Sequence, residues 1–427
     1  MTSGRAGCGE RWIRWALVGF SVILPLAVWP GALRPFSTIK LQLLAIVVPT
    51  TLVSAAALRV IGRPRLPLAM DIGLILSAAS LAASSIVGPL VSLPSLALAL
   101  LGMGWFWALL SFRPDPSRVL RAVALSGGVM AAVALLQFAG LDPFRAIGWA
   151  GEQFAAPRMR LFSTLGNPNF VAAFLAGVVP AQIAIAATDW PEHRGRGVAA
   201  AIGCGLTLLV ITLTGSRGAY LGLGLALAWC TGGDLLSKWR RRAASTRSPA
   251  RLAIGAVVAL VLGMAVVAGS AARNPRPLGR AIEGRLYIWR IAAGHSGEYV
   301  GMGLGPGSFA EAFQSWQATD WQAGRFEEAQ RQFAGPEDHA HNDYLELLVE
   351  QGIAGPVSFA IILWAFFAFA GRRFSAPRDP AASTAGVVAL VGVAVVDFPL
   401  HRPAELFLFW TLVAAGFLFD QRSVEAR

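Results

Sequence analysis

Charge is what this sequence has least of. Of 427 residues, 14% are Asp, Glu, Lys or Arg, while 55% are hydrophobic. A soluble chain of this length divides into two or three domains, and this balance argues against that. Cysteine is scarce as well. Cys8 lies in the amino-terminal tail, and Cys204 and Cys230 lie inside apolar blocks. No pair has metal-ligand spacing, so all three read as inert packing or surface residues. The first apolar block follows Arg11 and Arg14, but no small-residue cleavage site follows it and more blocks come after. A signal peptide is therefore not expected. The chain shows no low-complexity tail and no obvious internal repeat.

What is abundant is apolar sequence in blocks of roughly 17–25 residues, the length that spans a bilayer as helix. Trp15 to Trp29, Leu41 to Leu58, Val198 to Leu213, Ala253 to Ala268 and Val357 to Ala370 are examples. We count about twelve, which predicts one polytopic membrane domain over residues 1–427.

The formal net charge of +12 raises nucleic acid as a partner, and the placement of the charges excludes it. Basic residues gather in alternate connectors: Arg59, Arg63 and Arg65; Arg113, Arg118 and Arg121; Arg194 and Arg196. The densest group is Lys238, Arg240, Arg241, Arg242, Arg247 and Arg251, followed by Arg372, Arg373 and Arg378. The gaps between carry few, such as Arg34 and Lys40. This is the positive-inside pattern, and it predicts cytoplasmic termini and an even number of spans. The basic connectors are also expected to touch anionic membrane lipids. Two outer loops are long, from about Gly140 to Pro168 and from about Ala271 to His341.

Three stretches could carry chemistry. "GPEDHAHNDYLELLVEQG" from Gly335 closes the larger loop and starts a helix, with Asn342 as a plausible N-cap. His339, Asn342 or Asp343, Glu346 and Glu350 fall on one helical face. Carboxylates at that depth normally face a protein interior or a wet cavity. One reading is interfacial solvation. A sharper one is a catalytic base, His339 with Asp343 or His341 with Glu337 and Asp338. The spacing matches no strong metal motif. "LTGSRGAYLG" from Leu213 sets Arg217 in a tight turn at the outer membrane boundary, where it either snorkels or meets an anion such as phosphate. "GRLYIWRIA" from Gly284 reads as an amphipathic helix carrying Arg285 and Arg290. "GMGLGPGSF" from Gly301 lacks the βαβ setting of a dinucleotide fingerprint and reads as a flexible turn that allows close backbone approach.

Taken in order, "STLGNPNFVAAFLAG" from Ser163, "TGSRGAYLGL" from Thr214, "RLYIWRIA" from Arg285, "GLGPGSF" from Gly303 and "HAHNDYLELLVEQGIAG" from His339 resemble the O-antigen ligase and polymerase superfamily of bacterial envelope membrane proteins. The resemblance covers about residues 160–360. It implies an all-α, GT-C-like membrane fold of about twelve spans, with a large periplasmic loop (271–341) between the ninth and tenth. It also implies an inner-membrane, inverting glycosyltransferase that takes a glycan from an undecaprenyl-pyrophosphate donor to an acceptor such as lipid A-core. No cofactor and no metal are implied. By this resemblance Arg217 and Arg285, with Arg290, bind the pyrophosphate. His341 is the base and His339 the second choice, with Asn342, Asp343 and Asn169 in support. A polymerase or a protein O-oligosaccharyltransferase shares this donor chemistry. A transporter or flippase would place its charges near mid-membrane and often carries a repeat.

Overall fold

In a computed structural model of the chain, residues 7–59, 66–88, 92–149, 157–242, 278–370 and 378–425 are described. Among them there are helices and no strands. The amino-terminal half supplies α1 (Cys8–Leu26), α2 (Thr38–Ala57), α3 (Leu68–Val87), α4 (Leu93–Phe112) and α5 (Pro116–Phe138). After two 3-10 turns come α6 (Pro168–Asp189), α7 (Arg194–Thr214) and α8 (Arg217–Arg242). The large loop contains α9 (Leu278–Gly294) and α10 (Phe309–Gln322), and α11 (Asp343–Gln351) closes it. The chain finishes with α12 (Ala354–Ala370), α13 (Arg378–Val393) and α14 (Pro403–Glu425).

Local chemistry marks the helix starts. Pro opens α5 and α6, where its missing N–H is harmless. Asp115 and Asn167 cap them, accepting from Ser117 N at 3.0 Å and Asn169 N at 2.9 Å. Among the described residues six helices, α2 to α7, are long and apolar enough to cross a membrane. Shorter apolar helices lie at Ala354–Phe369, Ala381–Val393 and Pro403–Phe419. Large apolar side chains such as Ile46, Ile75, Ile86, Ile202 and Trp364 face outward, as lipid-facing positions do. Together these make a multi-pass membrane protein. The expected block at Ala253 to Ala268 lies outside the described residues, as do Arg63, Arg65, Arg247, Arg251, Arg372 and Arg373.

The bundle core centres on α6, of whose apolar window 78% is buried; it packs on α7 and α13, while α14 packs on α4, α5 and α13. The loop has its own core. Tyr287, Ile288 and Ile291 of α9 meet Phe309, Phe313 and Trp316 of α10, with Val349 of α11. The amphipathic helix expected around Arg285 therefore buries Ile288 and Ile291, while Leu286 is exposed. Lys40 is buried at the start of α2, and its ammonium donates to the Ala27, Phe36 and Thr164 carbonyls at 2.6, 2.7 and 2.8 Å. It ties the α1–α2 connection to the segment before α6.

Candidate active site

The stretch from Gly335 folds as a loop ending in a capped helix. Asn342 accepts from Leu345 N at 3.0 Å, and α11 begins at Asp343. The helix runs for nine residues and stops at Gly352, whose φ is +64°. The glycine-rich turn serves its far end. Leu304 N and Gly305 N donate to the Val349 and Glu350 carbonyls at 2.9 and 3.0 Å, which satisfies acceptors that a helix end leaves open. A Cβ at Gly303 would collide with the Glu350 carbonyl. The glycines thus admit close backbone approach to the protein's own helix.

The polar face of α11 is buried, with Asp343, Glu346 and Glu350 at most 3% exposed. It meets the connection between α13 and α14, "VDFPLHRPAE" from Val396. His401 Nδ1 lies 2.5 Å from Asp343 Oδ1, and His401 Nε2 lies 3.5 Å from Glu350 and 3.8 Å from Glu346. Burial opposes the charge on His401, but Glu346, Asp343 and Glu350 raise its pKa well above the ordinary value. Asp343 also accepts from Leu400 N at 2.9 Å, so it positions this connection. His339 pairs with Glu346 at 2.6 Å, not with Asp343 as its i, i+4 spacing invited. Glu346, Glu350 and His401 offer ligand atoms within 4.8 Å of one another, although both nitrogens of His401 already face carboxylates. A cavity of about 300 Å³ opens over this cluster, with Leu98, Phe359 and Trp410 among its apolar walls.

A second group forms around His341, whose φ of +50° is uncommon outside glycine. Its Nε2 lies 3.8 Å from Glu337 and its Nδ1 3.9 Å from Asp397. Burial lowers its pKa, Asp397 and Glu337 raise it, Arg285 opposes them, and the result is about 9. Burial raises Asp397, but Arg402, His341 and the Phe398 amide hold it down at about 2. Arg285 is lowered by burial, supported by Asp397 and opposed by Arg217. One electrostatic group therefore contains Arg217, Arg285, His341 and Asp397. Phe398 divides it from the α11 cluster, stacking on His339 at 3.8 Å and meeting the His341 ring at 5.2 Å.

The remaining expected residues separate. Arg290 is exposed and, five positions from Arg285, sits about 140° round the helix. Asn169 accepts from Arg158 Nη2 at 2.9 Å, and Arg158 Nε donates to the Thr214 carbonyl at 2.5 Å. Asn169 thus braces the turn that presents Arg217. Sequence reasoning missed Arg158, Asp397, His401 and Arg402. The visible signal was four ionisable groups within ten residues of "VDFPLHRPAE", in a short gap between apolar blocks.

No curated protein matches the chain. The family model described as O-Antigen ligase matches residues 202–360, which include Arg217, Arg285, His339 and His341 and end before Asp397. Members of that family are glycosyltransferase-like enzymes, and it is to them that residues 202–360 of this chain are similar.

Proposed function

We propose that the chain is an inverting glycosyltransferase of the ligase type. It transfers a glycan from an undecaprenyl-pyrophosphate donor to a lipid A-core acceptor on the periplasmic face of the inner membrane. The observation that carries this reading is the electrostatic group of Arg217, Arg285, His341 and Asp397. A pyrophosphate carries more charge than one guanidinium neutralises, and Arg forks suit phosphate oxygens.

In this reading the acceptor oxygen attacks the anomeric carbon. Its proton passes to His341, and the glycosidic C–O bond breaks with its electrons leaving on the pyrophosphate. Attack opposite the leaving group inverts the anomeric centre. Arg217 and Arg285 stabilise the charge that develops there. Asp397 and Glu337 orient His341 and stabilise the imidazolium it becomes. No step requires a metal or cofactor. His339 is the second choice for base, and its engagement with Glu346 favours His341.

The test is a strain lacking the gene, examined for surface glycans. A lost ligase leaves full-length polymer stranded on the carrier and bare core. Core capped with a single repeat unit would instead assign a polymerase. An unchanged glycan profile would remove both.

A further inference from the structure

A second cavity, of about 260 Å³, lies between the amino-terminal ends of α2, α6 and α14. Arg34, Lys40, Asn167, Phe170, Arg402 and Glu405 are among its lining residues. None of them belongs to the pyrophosphate group proposed above. Arg402 is the residue that needs explaining. It is 6% exposed, and its guanidinium lies over the Phe170 ring at 4.0 Å and the Phe398 ring at 4.9 Å. Stacking engages the face of a guanidinium, while its five N–H donors point outward in the plane. In that plane, Nη1 lies 3.4 Å from Asp397 Oδ1, and Nε lies 2.8 Å from Glu405 Oε1 without hydrogen-bond geometry. Nη2 is buried and has no hydrogen-bond partner among the described residues. A buried charged donor left unmatched costs more than a neutral one, and Arg402 is one of the residues that line the cavity.

The surroundings define the acceptor. Three basic residues, Arg34, Lys40 and Arg402, line the cavity with one carboxylate, Glu405. Lys40 offers an anion no free donor, since its side-chain nitrogen is engaged by three carbonyls. Arg34 is exposed and can swing its fork inward. The amino-terminal ends of α6 and α14 add positive potential. The volume falls below the roughly 300–1,000 Å³ of pockets for drug-sized ligands, so it suits a compact anion rather than an oligosaccharide.

We propose that this cavity binds a phosphate group through Arg402 and Arg34, carried either by a phosphorylated sugar of the acceptor or by an anionic phospholipid headgroup. The acceptor source rests on the transferase reading; phosphate binding does not. Asp397 links the two places. Its Oδ1 is 3.4 Å from Arg402 Nη1 and 3.9 Å from His341 Nδ1, so a phosphate here anchors its carrier beside the base.

The experiment uses the full chain in maltoside micelles, which contain no phosphate, without donor or turnover. Binding of inorganic phosphate, glucose 6-phosphate, glucose and phosphatidylglycerol is measured by native mass spectrometry and by thermal shift. The phosphate-bearing probes bind and glucose does not. In an Arg285→Ala background, which weakens the pyrophosphate group as a competing site, Arg34→Gln and Arg402→Gln each weaken them roughly tenfold or more, the worth of one charge-assisted hydrogen bond. If Arg402→Gln fails to fold, Arg34→Gln and Arg402→Lys carry the test. Tighter binding of glucose 6-phosphate supports the acceptor source, and tighter binding of phosphatidylglycerol the lipid source. Undiminished affinity when Arg34→Gln is added to that background, or no phosphate binding left in Arg285→Ala alone, overturns the proposal. Because nothing is turned over, a failed transferase reading leaves this readout intact.

Discussion

His341 carries an unusual combination of strain and charge. A non-glycine residue at φ +50° persists where its surroundings over-determine it, a habit of functional sites. A pKa of about 9 means that the resting imidazole holds a proton at neutral pH. A base must first lose it, so transfer by the base mechanism accelerates as pH rises toward about 9 and then levels off. If the imidazolium instead helps neutralise pyrophosphate, the rate falls above about pH 9. A pH profile with purified donor and acceptor separates these. The base reading also makes His341→Ala cost on the order of 10²–10⁴-fold in rate, with His339→Ala costing less. The raised pKa gives a stability signature with a fixed sign: His341 stabilises the fold fully below its ordinary 6.5 and loses that contribution as pH rises through about 9. Arg217→Lys and Arg285→Lys should each impair transfer, because an ammonium does not replace a bidentate fork. Near-normal rates in both would remove the pyrophosphate role. The two arginines and two histidines were legible in the sequence because their short motifs are polar interruptions of apolar sequence. Asp397 and Arg402 were not, because their meaning lies in partners more than fifty residues away or across a helix junction.

At nine residues, α11 is too short to persist by itself, so the structure must hold both of its ends. Asn342 caps one, and the Leu304–Gly305 amides serve the other. The two devices differ in how far they reach along the chain, and so did their legibility. The cap is local and was readable from Asn342 alone. The glycine turn was readable as a place of close approach, but what approaches is a helix end some 45 residues on, which no local pattern reveals. Their energies differ too. Asn342→Ala removes one cap and should cost about 1 kcal/mol. Gly303→Ala places a Cβ on a backbone with φ +79° and against the Glu350 carbonyl, so it combines left-handed strain of roughly 1–2 kcal/mol with a collision against main chain. Thermal unfolding in detergent should rank wild type above Asn342→Ala and Asn342→Ala above Gly303→Ala. If Gly303→Ala melts with the wild type, the turn does not secure α11, and the placement of Glu346 and Glu350 must have another cause.

Across the whole molecule, the two ends of α6 divide the chemistry. At its carboxyl end Asp189 pairs with Arg121 at 2.7 Å, close in sequence to the basic connectors at Arg113, Arg118, Arg194 and Arg196. At its amino end Asn167 and Asn169 stand with Arg158 and the turn that starts α8. The basic connectors and the candidate site therefore occupy opposite ends of one long apolar helix, as the positive-inside pattern requires of an outward-facing site. What remains is parity. Helix α8 ends at Arg242 and α9 begins at Leu278, and the apolar block from Ala253 to Ala268 lies between them in the chain. If that block spans, the dense basic group near Arg242 is cytoplasmic, and Gln317, on α10 of the large loop, is outside. Reporter fusions after Arg242 and at Gln317 should then report opposite compartments: a cytoplasm-active reporter works at the first and an export-dependent one at the second. If both report one side, the block does not cross. The loop carrying Arg285, His339 and His341 would then share a compartment with the basic connectors, and a site facing the periplasm could not be sustained, however well its side chains converge.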